Sequence, residues 1–163
     1  MESSIILITQ ARTGSTRLPG KILKKIGSKS LLQIHLDRLS ECKKISSIIV
    51  ATTTNKQDEK IYDKAIAWGY RASKGSENDV LDRFYQAVKN DNPDWVVRVT
   101  SDCPLIDPKL VDNVIDYAIE NDKDYVSNTL KENYPDGQDV EVLKFSALKK
   151  AWLNASLKYE KEH

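Results

Sequence analysis

Two arginines, a lysine and two glycines crowd one short stretch of this sequence, Gln10-Ala11-Arg12-Thr13-Gly14-Ser15-Thr16-Arg17-Leu18-Pro19-Gly20-Lys21. The stretch follows the apolar run Ile5-Ile6-Leu7-Ile8, which reads as a strand buried on both faces. Ligands of open α/β sheets bind outside the carboxyl ends of strands. A loop at that place, hinged at Gly14, rich in backbone N–H donors and cationic at Arg12, Arg17 and Lys21, suits a polyphosphate. The first thirty residues hold six Lys/Arg against one acid, Glu2, while the whole chain carries a net charge of only +1. The positive charge is therefore focused at a local anion site rather than spread over a nucleic-acid surface. Two phosphate motifs are excluded. Gly14 and Gly20-Lys21 are one residue too far apart for a Walker A loop, with Ile22 where a Mg²⁺-binding hydroxyl would stand, and no G-x-G-x-x-G occurs.

Four further segments carry polar side chains at strand or helix ends. Val99-Thr100-Ser101-Asp102-Cys103-Pro104 follows the apolar strand that starts at Trp95. Asp102 there can take Mg²⁺, which binds through one or two carboxylates and substrate phosphates, or it can cap the turn before Pro104. Asp107-Pro108, by contrast, is fully explained as an N-cap and first helical residue. Ala51-Thr52-Thr53-Thr54-Asn55 ends a second strand; its short side chains can bond a base or ribose, or cap the next helix. In Lys74-Gly75-Ser76-Glu77-Asn78-Asp79-Val80-Leu81-Asp82-Arg83, Ser76 and Asp79 have capping-box spacing, and Arg83 is open to phosphate or to Asp79. In Tyr134-Pro135-Asp136-Gly137-Gln138-Asp139-Val140-Glu141-Val142, a Pro-Asp-Gly turn precedes a strand that puts Asp139 and Glu141 on one face, facing metal, sugar or solvent.

The order Ala-Arg-x-x-Ser-x-Arg-Leu-Pro-Gly-Lys at residues 11–21 resembles the signature loop of the sugar-acid cytidylyltransferases. Within that group the chain is similar to the spore coat polysaccharide biosynthesis protein F family, relatives of the acylneuraminate and 3-deoxy-manno-octulosonate cytidylyltransferases. The Gly-Ser-Glu-Asn-Asp-Val-Leu-Asp-Arg, Asp-Cys-Pro-Leu and Tyr-Pro-Asp-Gly-x-Asp-Val-Glu-Val segments match in order, with Gln138 where an aliphatic residue is more usual. The resemblance implies a nucleotide-diphosphosugar transferase fold and transfer of CMP from CTP to a sugar or sugar acid, with release of pyrophosphate, for surface polysaccharide synthesis. It also implies roles. Arg12, Lys21 and Asp102 would be catalytic, with Asp102 holding Mg²⁺. Gln10, Ala11, Arg12, Gly14, Ser15, Arg17, Lys21, Thr52, Thr53, Gly75, Ser76 and Arg83 would bind the nucleotide, and Asp139 and Glu141 the sugar. Further metal and sugar contacts of the family are expected beyond His163. Two alternatives are a nucleotide-sugar-dependent glycosyltransferase, for which Asp122-Lys123-Asp124 has the Asp-x-Asp form but sits in a polar turn, and a non-catalytic nucleotide-binding module.

The elements that must position these residues alternate between strand and helix patterns. Strands are expected over Ile5–Thr9, Ile48–Thr53, Trp95–Thr100, Asp124–Ser127 and Asp139–Leu143. Apolar stripes at helical spacing mark Leu32/Leu36/Leu39, Ile61/Ala65/Trp68, Leu81/Phe84/Val88 and Leu110/Val114/Ala118, with a last helix capped by Ser146 and running through Ala155. Such alternation predicts a three-layer αβα sandwich around a mainly parallel sheet. A length of 163 residues fits one domain over residues 1–163, and 40% hydrophobic with 30% charged content is ordinary for a globular protein. The apolar runs stop at four residues, which excludes a membrane-spanning segment or signal-peptide core among them. Cys42 and Cys103 have no metal or redox spacing and read as reduced thiols of a cytoplasmic protein. His35 reads as structural. Expected partners are CTP and a sugar acid, with neither nucleic acid nor membrane, and with a homodimer left open. The family is usually longer, so the chain reads as a short form or a piece.

Overall fold

A computed structural model describes residues 3–15, 17–131 and 133–162. Glu2, Thr16 and His163, named above, lie outside the described residues. One six-stranded sheet forms the centre. In chain order its strands are β1 (Ile5–Gln10), β4 (Ser47–Thr53), β5 (Arg71–Gly75), β6 (Trp95–Thr100), β7 (Tyr125–Ser127) and β8 (Glu141–Lys144); a separate two-stranded hairpin, β2 (Lys25–Ile26) and β3 (Lys29–Ser30), follows the basic loop. The sheet order is β5-β4-β1-β6-β8-β7. The first four are parallel, and β8 and β7 add an antiparallel edge.

Helices cover both faces. On one side α1 (Leu31–Leu39), α2 (Glu59–Ala67) and α4 (Pro108–Glu120) pack Leu36, Ile61 and Val111 against Leu7, Val50 and Val97. On the other, α3 (Val80–Val88) and α5 (Phe145–Asn154) pack Phe84, Val88 and Leu148 against Ile6, Ile8 and Ile49. This is why β1 is apolar at consecutive positions: Leu7 and Ile8 face opposite layers and both are fully buried. Each such side chain contributes about 1.5–3 kcal/mol on leaving water. The three-layer αβα expectation therefore holds.

Several boundaries differ from expectation. β5 has no apolar alternation (Arg-Ala-Ser-Lys-Gly) because it is an edge strand, half-buried at most positions. Helix α5 starts at Phe145 without a side-chain cap, not after Ser146; the Phe145 N–H goes to Asp94 O (3.0 Å) and its ring is buried, so β8 runs straight into the helix. That helix ends at Asn154, and a short α6 (Lys158–Glu162) follows. Ladder pairing begins at Glu141, which leaves Asp139 off the strand and exposed. The caps expected at Asp107 and Pro108 are present, with Lys109 N donating to Asp107 Oδ1 at 3.0 Å. No helix among the described residues is long and apolar enough to cross a membrane.

Candidate active site

From β1 the chain crosses to β4 and β5 on one side of the sheet, then returns past β1 to β6 on the other. The crevice outside the carboxyl ends of β1 and β6 is thus a topological switch point, the usual ligand position in such sheets. A cleft of about 400 Å³ opens there. Gln10, Ala11, Arg12, Gly14, Ser15, Arg17 and Lys21 come to it from the basic loop, Arg83 from α3, Arg98 and Thr100 from β6, and Asp102 from the following turn. Five cationic side chains line it (Arg12, Arg17, Lys21, Arg83, Arg98) against three carboxylates (Glu77, Asp102, Glu162), so the lining is net positive and favours a polyanion.

The loop is held from both ends. At its start, Ala11 N donates to Ala51 O (2.9 Å), extending the β1–β4 ladder. At its end, Gly20 has φ +67°, the left-handed conformation that glycine tolerates, and opens a 3₁₀ turn over Lys21–Leu23. Ile22 of that turn is buried against Leu32 and Leu36, which fixes where Lys21 starts. The hinge is therefore Gly20; Gly14 is not in the left-handed region.

Lys21 Nζ bonds Asp102 Oδ2 across the cleft. Burial pushes the Asp102 carboxyl up, but the hydrogen bond and charge of Lys21, aided by the Asp102 N–H and Thr100, more than offset it and hold the group below the ordinary carboxylate value. Beneath this turn lies His35, fully buried. Its Nδ1 sits 2.9 Å from Cys103 O, a carbonyl that can only accept, so Nδ1 carries the proton and Nε2 accepts from Thr9 Oγ1 (2.9 Å). Burial lowers the His35 pKa more than the Cys103 bond and Asp102 raise it. The imidazole is a neutral strut that ties the Asp102 turn to β1 and α1.

Arg83 is 4% exposed, yet it lines the cleft. Its Nη1 donates to Ser76 O and its Nη2 reaches Gln10 Oε1 at 3.5 Å, while Nε has no partner among the described residues. Asp79, the alternative partner, instead caps α3 by accepting from Asp82 N (2.8 Å). Ser76 is thus not the helix cap of a capping box; its hydroxyl accepts from Asn78 N and Asp79 N in the preceding turn. Gly75 and Ser76 do not line the cleft and act on it through Arg83. Burial lowers the Arg83 pKa, with Arg12 adding to it and Glu77 opposing.

Thr52 and Thr53, expected against the nucleotide, are buried and absent from the cleft lining. Thr53 Oγ1 donates to Asp58 and accepts from Asn55 N (3.1 Å), which commits it internally. Glu141 is committed too: both its oxygens accept from Arg98 Nη1, at 2.7 and 2.8 Å. Asp139 lies in the exposed turn beyond the strand, outside the cleft lining. The two acids therefore do not form one face. Asp122 and Asp124 both pair with Lys144, at 2.7 and 3.2 Å, away from the cleft. Burial pushes Cys42 up to about 12 and raises Cys103 as well. No group of three metal-ligating side chains occurs among the described residues.

Two residues line the cleft without a sequence signal, and a third, Asp58, holds its loop from beneath. Glu77 accepts from Asn55 Nδ2 (2.7 Å) and pairs with Arg12 (3.4 Å). Arg98 projects from β6 over Phe84, 5.7 Å from the ring centroid. Asp58, 1% exposed, accepts from Thr13 N and Oγ1 at 2.8 and 2.6 Å. Each is held by a partner more than twenty residues away, Asn55 for Glu77, Glu141 for Arg98 and Thr13 for Asp58, which local pattern does not encode.

A family model described as cytidylyltransferase matches residues 6–163. The chain is 47% identical over 159 residues to an uncharacterized protein of Methanocaldococcus jannaschii, covering 98% of this chain and 64% of that one. It is 37% identical over 127 residues to the spore coat polysaccharide biosynthesis protein SpsF of Bacillus subtilis, covering 76% and 53%. The structure of a cytidylyltransferase from Leptospira borgpetersenii superposes with a TM-score of 0.89 at 35% identity, over all of this chain and 68% of that one. The chain spans between half and two thirds of these two relatives' own lengths.

Proposed function

The chain belongs to the cytidylyltransferase family, and on that premise we propose that it transfers CMP from CTP to a hydroxyl of a sugar or sugar acid, releasing pyrophosphate, in the making of a surface polysaccharide. The observation that carries this is the opposition of the cationic loop at the end of β1 to Asp102 at the end of β6 across one cleft.

In the proposed reaction the sugar hydroxyl loses its proton to solvent as its oxygen bonds to the α-phosphorus of CTP, while the bond from that phosphorus to the bridging oxygen breaks and pyrophosphate leaves with that oxygen. Such transfers need positioning and neutralisation of charge more than a covalent nucleophile. Arg12, Arg17 and Lys21 hold the β- and γ-phosphates and take up the charge of departing pyrophosphate. Lys21 exchanges Asp102 for phosphate oxygens when the triphosphate enters. Arg83, fixed by Ser76 O and Gln10, presents an already desolvated guanidinium at the cleft wall. Asp102 fits a divalent cation: it is a partly exposed carboxylate, ionised at neutral pH, at the cleft edge. Mg²⁺ suits one carboxylate completed by water and phosphate oxygens, and when bound would supply neutralisation of charge at the α-phosphate. With Thr52 and Thr53 turned inward, the base side of the cleft is the turn at Glu77, Asn78 and Val80.

The test is incubation with each nucleoside triphosphate and a panel of sugars and sugar acids, with Mg²⁺, scoring pyrophosphate and product mass. CTP-dependent pyrophosphate with a product heavier than the sugar by one cytidylyl group is expected. Tight CTP binding without any turnover would favour the binding-module reading, and a preference for ATP or GTP would overturn the choice of nucleotide.

A further inference from the structure

Building on the nucleotide reading of the cleft, we propose that Asp58 is a positioning residue of the phosphate-binding loop, clamping Thr13 to the end of β4 and so setting where Arg12, Arg17 and Lys21 stand. Asp58 occupies the N-cap position of α2 but makes no side-chain cap bond to that helix. Its oxygens are turned the other way. Oδ1 accepts from Thr13 N (2.8 Å) and Thr13 Oγ1 (2.6 Å), and Oδ2 accepts from Thr53 Oγ1. Thr53 Oγ1 in turn accepts from Asn55 N, so its own proton is free to point at the carboxylate. An ionised carboxylate accepts only, and three donors converge on it. It is 1% exposed, and no ion pair among the described residues includes it. Burying a charge is costly unless it is hydrogen-bonded, which the three donors provide.

Thr13 is the knot of the loop. Its N–H and hydroxyl go to Asp58, while its carbonyl accepts from both Ser15 N and Gly20 N, each at 2.9 Å. One residue thus ties the outgoing arm of the loop to the returning one, and Asp58 ties that residue to β4. Arg12 lies immediately before the knot, Arg17 on the segment it closes, and Lys21 immediately after that segment. Without Asp58, the N–H and hydroxyl of Thr13 lose their acceptor inside the protein, and the loop's cations lose their common reference point.

The experiment compares the parent with Asp58→Ala, Asp58→Asn and Thr13→Val, by calorimetric binding of CTP and CMP in Mg²⁺ and by amide hydrogen exchange at Ser15 and Gly20 in the free proteins. Asp58→Ala is expected to weaken CTP binding by about tenfold or more, the scale of a lost hydrogen bond to a charged group, and CMP, which lacks the outer phosphates, by much less. Exchange at Ser15 and Gly20 should accelerate. Asp58→Asn keeps the shape and an acceptor for Thr13, and should recover CTP binding to within about threefold of the parent. Thr13→Val keeps the backbone bond, is the milder probe should Asp58→Ala fail to fold, and should fall between the two. Equal losses for CTP and CMP, or unchanged exchange at Ser15 and Gly20, would overturn the clamp. If the parent itself does not bind CTP, the nucleotide reading fails, while the exchange rates still decide whether Asp58 holds the loop.

Discussion

Replacing Gly75 with alanine tests the link between the edge strand and the buried arginine of the cleft. Gly75 closes β5, paired with Thr53, and its carbonyl accepts from Thr54 N at 3.0 Å. A Cβ there would stand 2.8 Å from Arg83 Cγ, 3.0 Å from its Cβ and 3.2 Å from its Cα. The last is backbone in the first turn of α3, and α3 is locked by Phe84 and Val88 in the core, so it retreats only with loss of packing. Overpacking of this kind costs about 1–3 kcal/mol. For a chain of this size each kcal/mol moves the thermal midpoint by about 2–4 °C, so Gly75→Ala should melt roughly 2–12 °C below the parent. Scanning calorimetry reads this directly. In an Arg83→Ala background the 2.8 Å contact is gone, and the penalty should shrink by about 0.5 kcal/mol or more, the size of coupling expected for touching residues. Gly14→Ala is the control, since its Cβ would meet Glu77 and Gln57 at 3.6 and 3.7 Å, ordinary contact distances, and its effect should stay within about 0.5 kcal/mol. A Gly75→Ala midpoint within a degree or so of the parent would refute the close-approach argument.

Arg12→Ala should weaken CTP binding by about ten- to a hundredfold, for a lost charge-assisted hydrogen bond of roughly 1.5–3 kcal/mol, and CMP binding far less. Its exposed pair with Glu77 means stability should hardly move, and equal loss for both nucleotides would place Arg12 away from the outer phosphates. Asp102→Asn keeps size but removes the charge a metal needs, so turnover should collapse with little change in midpoint; turnover within about twofold of the parent would sink the metal assignment. His35 has a lowered folded-state pKa, so the unfolded chain takes up a proton that the folded one refuses. Its stability contribution is intact above the unfolded value of 6.5 and is lost as pH falls below it toward the lowered folded value. The parent midpoint should drop from pH 7.5 to pH 5, and His35→Gln should flatten that slope; an unchanged slope would mean His35 is not its source.

The sheet was legible because its central strands announce themselves: Ile5–Ile8 and Ile48–Ala51 are short continuous apolar runs, as strands covered on both faces give, and all but Ile48 are buried. The basic loop and Asp102 were legible for the same reason, since each sits at the end of such a run. β5 was not, because an edge strand needs neither alternation nor apolar continuity. Within the site, Arg83 is legible in its motif, but its bond to Ser76 O rather than Asp79 goes with the close approach of its Cβ and Cγ to Gly75 at the strand end, which local pattern does not encode. The threonines at the end of β4 had the right chemistry for a base, but Thr52 is buried and Thr53 is spent on Asp58, a carboxylate whose bond to Thr13 spans 45 residues of sequence. Asp139 and Glu141 failed as a pair because alternation holds only inside a strand, and the ladder begins between them.

The ion pairs Arg12–Glu77, Lys21–Asp102 and Arg98–Glu141 give three cations of the cleft a resident carboxylate. On the proposed reading, an incoming triphosphate would displace protein carboxylates at these three cations, so filling this part of the cleft would be an exchange of partners. Fewer small ions are released to solvent than the number of phosphate contacts would suggest, so affinity should decline with added salt more gently than it does where phosphates meet solvated lysines. The same exchange sorts ligands by charge density. A monoanion such as chloride gains too little to evict a carboxylate, whereas a triphosphate engages several cations at once and repays each broken pair. On the proposed triphosphate reading, the resident acids would then act as a threshold against the common anions around the cleft.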